Sequence, residues 1–288
     1  MKSYKKSILI SLAMTTTLAI ATNVFAGTIA AFGTNITIHD NKADNTVAGY
    51  GKNSLGQGNE DDETEPRTTR SQSWDLEGVF LNKNVLTLVG GYNFFNTSTD
   101  RHMRPGDIFF NTVGKIEDAG GTGNSGNMDV TNRFGYEYVL DVDWAALTFD
   151  AIQLTDNSKT TTVYFAVNAS DSPGPGPGSN PWRYASNGIV LTSDETVVNP
   201  GTMTDAESGF SDWNTAGDGT HYAVSFDLTN FFSIAGLNGK EFDVHFTMAC
   251  GNDNLMGHGT APVPEPATML LLGTGLVGLA GAARRHKK

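Results

Sequence analysis

The chain has 288 residues, a formal net charge of -12 and a single cysteine, Cys250. One cysteine excludes an internal disulfide, so packing alone must hold the fold, which a chain of this length can sustain. Between the two basic ends, 12 Lys and Arg face 30 Asp and Glu; that net of -18 excludes nucleic acid as a partner, repels anionic lipid and favours solubility.

Met1 to Ala26 opens on Lys2, Lys5 and Lys6, runs through an apolar stretch from Ile8 to Ala21 and closes on Val24-Phe25-Ala26. This is the layout of a signal peptide. It predicts passage through the export machinery and cleavage by signal peptidase between Ala26 and Gly27, leaving residues 27–260 as the exported domain.

Within that domain, short runs of Val, Ile, Phe, Tyr and Thr alternate with Gly, Asn, Asp and Ser clusters, the pattern of strands and turns. Strands are predicted at 28–39, 73–81, 85–92, 107–111, 135–142, 147–154, 161–168, 188–192, 221–228 and 241–248. In the run from Tyr222 to Leu228, the residues Tyr222, Val224, Phe226 and Leu228 share one face, so one side of a sheet is buried there. Leu81-Asn82-Lys83-Asn84-Val85 reads as a hairpin turn. One short helix is expected at Thr229 to Ala235. Strands without crossover helices predict an all-β fold, an antiparallel β-sandwich of jelly-roll-like form. The tract Ser172-Pro173-Gly174-Pro175-Gly176-Pro177-Gly178 is either a long surface loop or a joint between two smaller β units.

Residues 261–288 form a third segment. Val263-Pro264-Glu265-Pro266 precedes the uncharged run Ala267 to Ala283, and Arg284-Arg285-His286-Lys287-Lys288 follows. Seventeen helical residues reach about 26 Å, enough for a single transmembrane helix to cross a hydrocarbon core. The basic tip of Arg284, Arg285, Lys287 and Lys288 then stays in the cytoplasm. Pro264 and Pro266 restrict their own backbone and push their predecessors toward extended conformations, which separates the motif from the helix after it. Thr274, Gly278 and Ala282 would share a face suited to helix packing, though Gly and Ala are common in membrane helices anyway.

This ordered tail resembles the PEP-CTERM sorting domain of Gram-negative bacterial surface proteins. The resemblance implies recognition of the Pro-Glu-Pro element by an exosortase, a membrane-embedded enzyme that removes the tail, and an extracellular-matrix or biofilm setting. The localisation it implies is export with transient anchoring in the inner membrane, then display on or beyond the cell surface. An ordinary single-span anchor is the plainer alternative; a GPI-type signal would end on apolar residues. Trp74-Asp75-Leu76-Glu77, Gly106-Asp107-Ile108-Phe109 and Cys250-Gly251-Asn252-Asp253 are also distantly similar to sandwich modules that bind carbohydrate.

The remaining motifs carry weaker signals. Gly121-Thr122-Gly123-Asn124-Ser125-Gly126 has dinucleotide-loop spacing but is followed by strand-like sequence, so it reads as a surface loop. The acidic run 59–65 lacks the EF-hand spacing. Asp141 and Asp143 fall on one face of a strand, where two carboxylates could share a cation or simply wet the sheet's outer side. The six histidines show no ligand spacing and no Gly-x-Ser-x-Gly elbow occurs, so no catalytic residue, metal or cofactor is assigned. His245 shares strand parity with Asp243, which suits a hydrogen bond. Cys250 reads as a small buried thiol. Trp74 and Trp144 read as core and Trp182, beside the Pro-Gly tract, as the best exposed aromatic; Trp213 is left open. The functional expectation is a structural or binding protein without catalysis and without an assigned ligand; an extracellular polysaccharide is a candidate partner. A carbohydrate-binding module, calcium-dependent or not, and a polysaccharide-active enzyme are the alternatives.

Overall fold

A computed structural model describes residues 28–38, 73, 75–95, 103–113, 126–164, 180–204, 207, 220–251, 253–264 and 274–275. The signal segment, the acidic run 59–65, most of 121–126, the tract 172–178, Trp74 and Trp213 lie outside them, as does almost all of the run 267–283. Among the described residues no helix is long and apolar enough to cross a membrane.

The fold is all-β and antiparallel, as the strand and turn pattern predicts. Ten strands form one continuous sheet. At one margin, β1 (Thr34–Asn35) pairs with β2 (Leu76–Asn82), which forms a hairpin with β3 (Val85–Gly90) through a turn where Lys83 has a φ of 53°. Beyond β3 lie β11 (Thr220–Asp227) and β10 (Ile189–Thr204). The sheet continues through β7 (Thr148–Gln153), β6 (Tyr138–Asp143), β4 (Ile108–Asn111), β12 (Glu241–Thr247) and β13 (Asn254–Thr260). A separate three-stranded sheet holds β5 (Asp129–Thr131), β8 (Lys159–Thr161) and β9 (Arg183–Ser186). Strands β8 and β9, which flank the Pro-Gly tract, pair with each other at Thr161 and Arg183.

The large sheet curls because β10 belongs to both of its halves. Its first part pairs with β7, from Ile189 opposite Gln153 to Thr196 opposite Thr148; its second pairs with β11, from Val197 opposite Phe226 to Thr204 opposite Thr220. Register shifts on both sides of this handover bend the strand, as bulges do. The segment following β1 links the two margins: Ile36 donates its N–H to Val79 of β2, and Ile38 donates to Met256 of β13. One core fills the curl, with Leu88, Val224 and Phe226 from one half meeting Phe110, Phe149 and Phe246 from the other. The helix α1 (Thr229–Ile234) closes part of it, packing Phe231 on Phe110 at 5.1 Å and on Tyr138 at 5.5 Å. The small sheet lies outside, where Val130 and Tyr184 pack with Phe109, Val139 and Ile152.

Three expectations change. The first predicted strand is a 3₁₀ helix at Ile29–Phe32 followed by only two strand residues, because the chain turns to lay Phe32 against Phe80 on the outer face of β2. The strand predicted at 188–192 continues to Thr204, since backbone pairing to two neighbours holds it where side-chain alternation is weak. Strands β5, β9 and β13 lack the apolar alternation that marks a strand in sequence. In β13 the reason is contact: a Cβ on Gly257 would come within 2.5 Å of Val79 Cγ1, so β13 needs glycine where it meets β2.

Candidate functional site

A cleft of about 660 Å³ opens at the end of the large sheet where the β6–β7 hairpin turns. Cross-strand pairing puts Asp141 of β6 directly opposite Asp150 of β7, two carboxylates on one face. Asp143 and Asp194 join them on the lining, with Arg183 and Arg104 as the cationic members and Phe94, Phe95 and Trp144 among the apolar ones.

Local chemistry sets each of these side chains. Asp143 Oδ1 accepts the N–H groups of Ala145 and Ala146, both at 2.9 Å, so this carboxylate organises the hairpin turn, in which Leu147 has a φ of 56°. Asp150 Oδ1 accepts the Asp194 N–H at 2.9 Å, which fixes the bulged part of β10 over β7. Trp144 donates its indole N–H to the Gly106 carbonyl at 2.9 Å and stacks on Phe94 at 6.1 Å, so its ring is held by the core, as expected.

Behind the lining, wholly buried Asp107 accepts the N–H of Val142 at 3.1 Å and of Tyr184 at 2.7 Å. Arg183 bridges it to the cleft, with Nε 3.6 Å from Asp107 Oδ1 and a terminal nitrogen 3.9 Å from Asp141 Oδ1. Burial pushes the Asp107 carboxyl up to about 7; Arg183 opposes the rise, Asp141 adds to it, and the two N–H groups oppose it. Asp141 is also raised, by burial first; Arg183 opposes this while Asp150 and Asp143 add to it. The Arg183 Nε, too far from Asp107 for a hydrogen bond, is a buried donor with no acceptor among the described residues.

Of the residues singled out in sequence, Asp141 and Asp143 both reach this cleft. Trp182 does not become an exposed aromatic: it is 9% exposed and donates to the Pro105 carbonyl at 3.2 Å, because β9 lies back against the start of β4. Asp243 bonds His258 across the β12–β13 pair at 2.7 Å, and His245 instead reaches the Pro181 carbonyl at 3.0 Å, since residues two apart on a strand stand too far apart to meet. Cys250 is buried, as expected. Gly126 is described, and the chain after it enters β5, a strand where a dinucleotide loop would need a helix. Sequence reading gave no site role to Asp107, which it quoted only within a motif, and passed over Asp150, Asp194 and Arg183. The available signal for Asp107 was a charge directly preceding the fully apolar Ile108-Phe109-Phe110. Among the described residues no group of three or more His, Cys, Asp or Glu side chains is placed to hold a metal ion.

The chain leaves the fold at the far end of β13. Val263 and Pro264 are exposed there, whereas Ala26, Gly27, Glu265, Pro266, Arg284, Arg285, Lys287 and Lys288 lie outside the described residues. The profile of the PEP-CTERM protein-sorting motif matches residues 262–285. The chain carries a PEP-CTERM sorting motif. It is therefore an exported protein targeted to an exosortase. The match spans the Pro-Glu-Pro element, the uncharged run and Arg284-Arg285, in the order the tail chemistry requires. Neither the curated proteins nor the solved structures include a match to this PEP-CTERM chain.

Proposed function

We propose that the β domain of this PEP-CTERM protein is a non-catalytic binding module for an extracellular polysaccharide, with the Asp141–Arg183 cleft as its site. On this reading the signal peptide is cut after Ala26, and the run Ala267 to Ala283 holds the precursor in the inner membrane. Exosortase then removes the tail, and the body passes to the cell surface or matrix. The observation that supports the cleft is its mix of groups: carboxylates that accept and guanidinium groups that donate, beside apolar side chains. Hydroxyl-rich ligands are recognised by such paired donors and acceptors set against apolar surface. The test is glycan-array binding by the exported, tail-processed protein. Binding that Asp141→Asn and Arg183→Ala both abolish supports the reading; binding that neither change affects removes the cleft from it. Mass spectrometry of the same material tests the processing step, since a mature form that retains Arg284 counts against tail removal.

A second reading is a polysaccharide-active enzyme. Asp141 and Asp150 supply a close carboxylate pair in which burial favours the protonated form of Asp141, the environment a general acid needs. Release of reducing ends from a bound glycan, lost in both Asp141→Asn and Asp150→Asn, would establish it; binding without release favours the module.

A further inference from the structure

The cleft and the chain's exit stand at opposite ends of the same strands. Asp143 pairs with Thr148 at the cleft end, while Glu241 pairs with Thr260 at the exit end. The intervening registers run from Leu140 to Ile108, then from Phe109 to His245 and from His245 to Met256. Counted through them, the two rows are on the order of 25 Å apart along the strands.

The exit is pinned. Gly239 donates its N–H to the Ala261 carbonyl at 2.8 Å and Ala261 donates to the Lys240 carbonyl at 2.9 Å, so the last buried residue before the tail is clamped to the turn between α1 and β12. From Ala261 to the start of the uncharged run at Ala267, the chain reaches at most about 20 Å. At this same end stand Val113 (78% exposed), Ile234 (56%) and Val263 (70%), three of the exposed large apolar side chains among the described residues. Val113 follows β4, whose Asn111 pairs with Asp243 near the start of β12. Ile234 closes α1 just before the clamped turn, and Val263 packs beside Gly239 of that turn. Lys240 and Glu241 sit side by side there, one of each charge.

We propose that this exit face rests on the lipid surface while the tail is in place, so that the cleft is held facing away from the membrane. The proposal rests on the membrane-held precursor described above. The short clamped connection brings the face to the bilayer, and Val113, Ile234 and Val263 are the apolar side chains available to enter its interface. The net charge of the body offers no attraction, so the contact is apolar and does not need anionic lipid.

The test uses the full-length precursor in phosphatidylcholine vesicles, carrying an environment-sensitive fluorophore on V113C, on I234C or, at the cleft-end hairpin, on A146C. Native Cys250 is buried; an unsubstituted precursor gives its background labelling. The expected result is a blue shift and quenching by a headgroup-level lipid quencher at positions 113 and 234, neither at 146, and loss of both once the chain is cut after Pro264. Quenching at 146 equal to that at 234, or none at 234 in a precursor that floats with the vesicles, overturns the proposal; a precursor that does not float with them overturns the membrane-held reading and the proposal with it. So does a vesicle result without quenching at 234 combined with slower tail removal in cells carrying Ile234→Asp, which would assign the face to the processing enzyme. Failure of tail removal as such reads out separately, as retained Arg284 in the exported protein with the vesicle result unchanged.

Discussion

The Asp107 carboxylate accepts the backbone N–H of Tyr184 at 2.7 Å, and this buried contact ties β9 of the small sheet to β4 at the root of the large one. Its other oxygen holds Val142 of β6 at 3.1 Å. One carboxylate thus fixes three strands around the cleft wall that carries Arg183, and the consequence is a pH dependence with a definite sign. The folded protein holds the Asp107 proton up to about pH 7, whereas an unfolded chain releases it in the ordinary carboxylate range. Between those limits the native state binds more protons, so the Asp107 contribution makes stability fall as pH rises toward 7. The melting temperature should drop from pH 5 to pH 8, and Asp107→Asn should flatten that drop while lowering stability by about 1–2 kcal/mol through one lost N–H acceptor.

The Asp150 charge stands opposite Asp141 and pushes the Asp141 carboxyl up. Replacing Asp150 by Asn removes a charge that raises the Asp141 carboxyl and keeps an oxygen for the Asp194 N–H. The Asp141 pKa should move down in Asp150→Asn, read by carboxyl carbon chemical shift against pH. An unchanged titration would mean the two side chains point apart in solution.

Gly106 marks the closest approach of three chain segments. A Cβ there would meet the carbonyl oxygens of Thr247 and Trp182, neither of which can move without breaking strand contacts. Gly106→Ala should cost about 2–3 kcal/mol in urea unfolding, with overpacking as the cause.

On the other half of the sheet, His221 Nδ1 lies 2.6 and 2.7 Å from the two carboxylate oxygens of Glu77, and both side chains are buried. His221→Ala takes the ring from a buried carboxylate and should cost about 3–5 kcal/mol. Glu77→Gln keeps an acceptor oxygen and should cost about 1 kcal/mol. Chemical denaturation of the two variants measures the contrast; equal losses would mean that the charge of the pair, and not the ring's volume, is what matters.

Much of the strand content is legible in the sequence because alternation is local. Tyr222, Val224, Phe226 and Leu228 announce β11, and Leu81 to Val85 announces the β2–β3 turn. The candidate site is legible only in part. Asp141 and Asp143 stand out as a pair on one strand, but their neighbour Asp150 stands opposite through β6–β7 register, and Arg183 arrives from a different sheet. Trp182 misled because a neighbouring Pro-Gly tract suggests exposure, whereas burial depends on how β9 packs over β4.

By itself the sequence determined that this protein is exported and addressed to an exosortase. A sorting tail is read as a short linear segment, and its chemistry is complete in the residues from Pro262 to Arg285. Only the tertiary structure decided what the body presents. Its cleft draws on Asp107, Asp141, Asp150, Arg183 and Asp194, which lie on separate stretches of chain and meet because backbone pairing sets their register. Single-strand patterns specify which face a side chain takes; they do not specify which partner it will face.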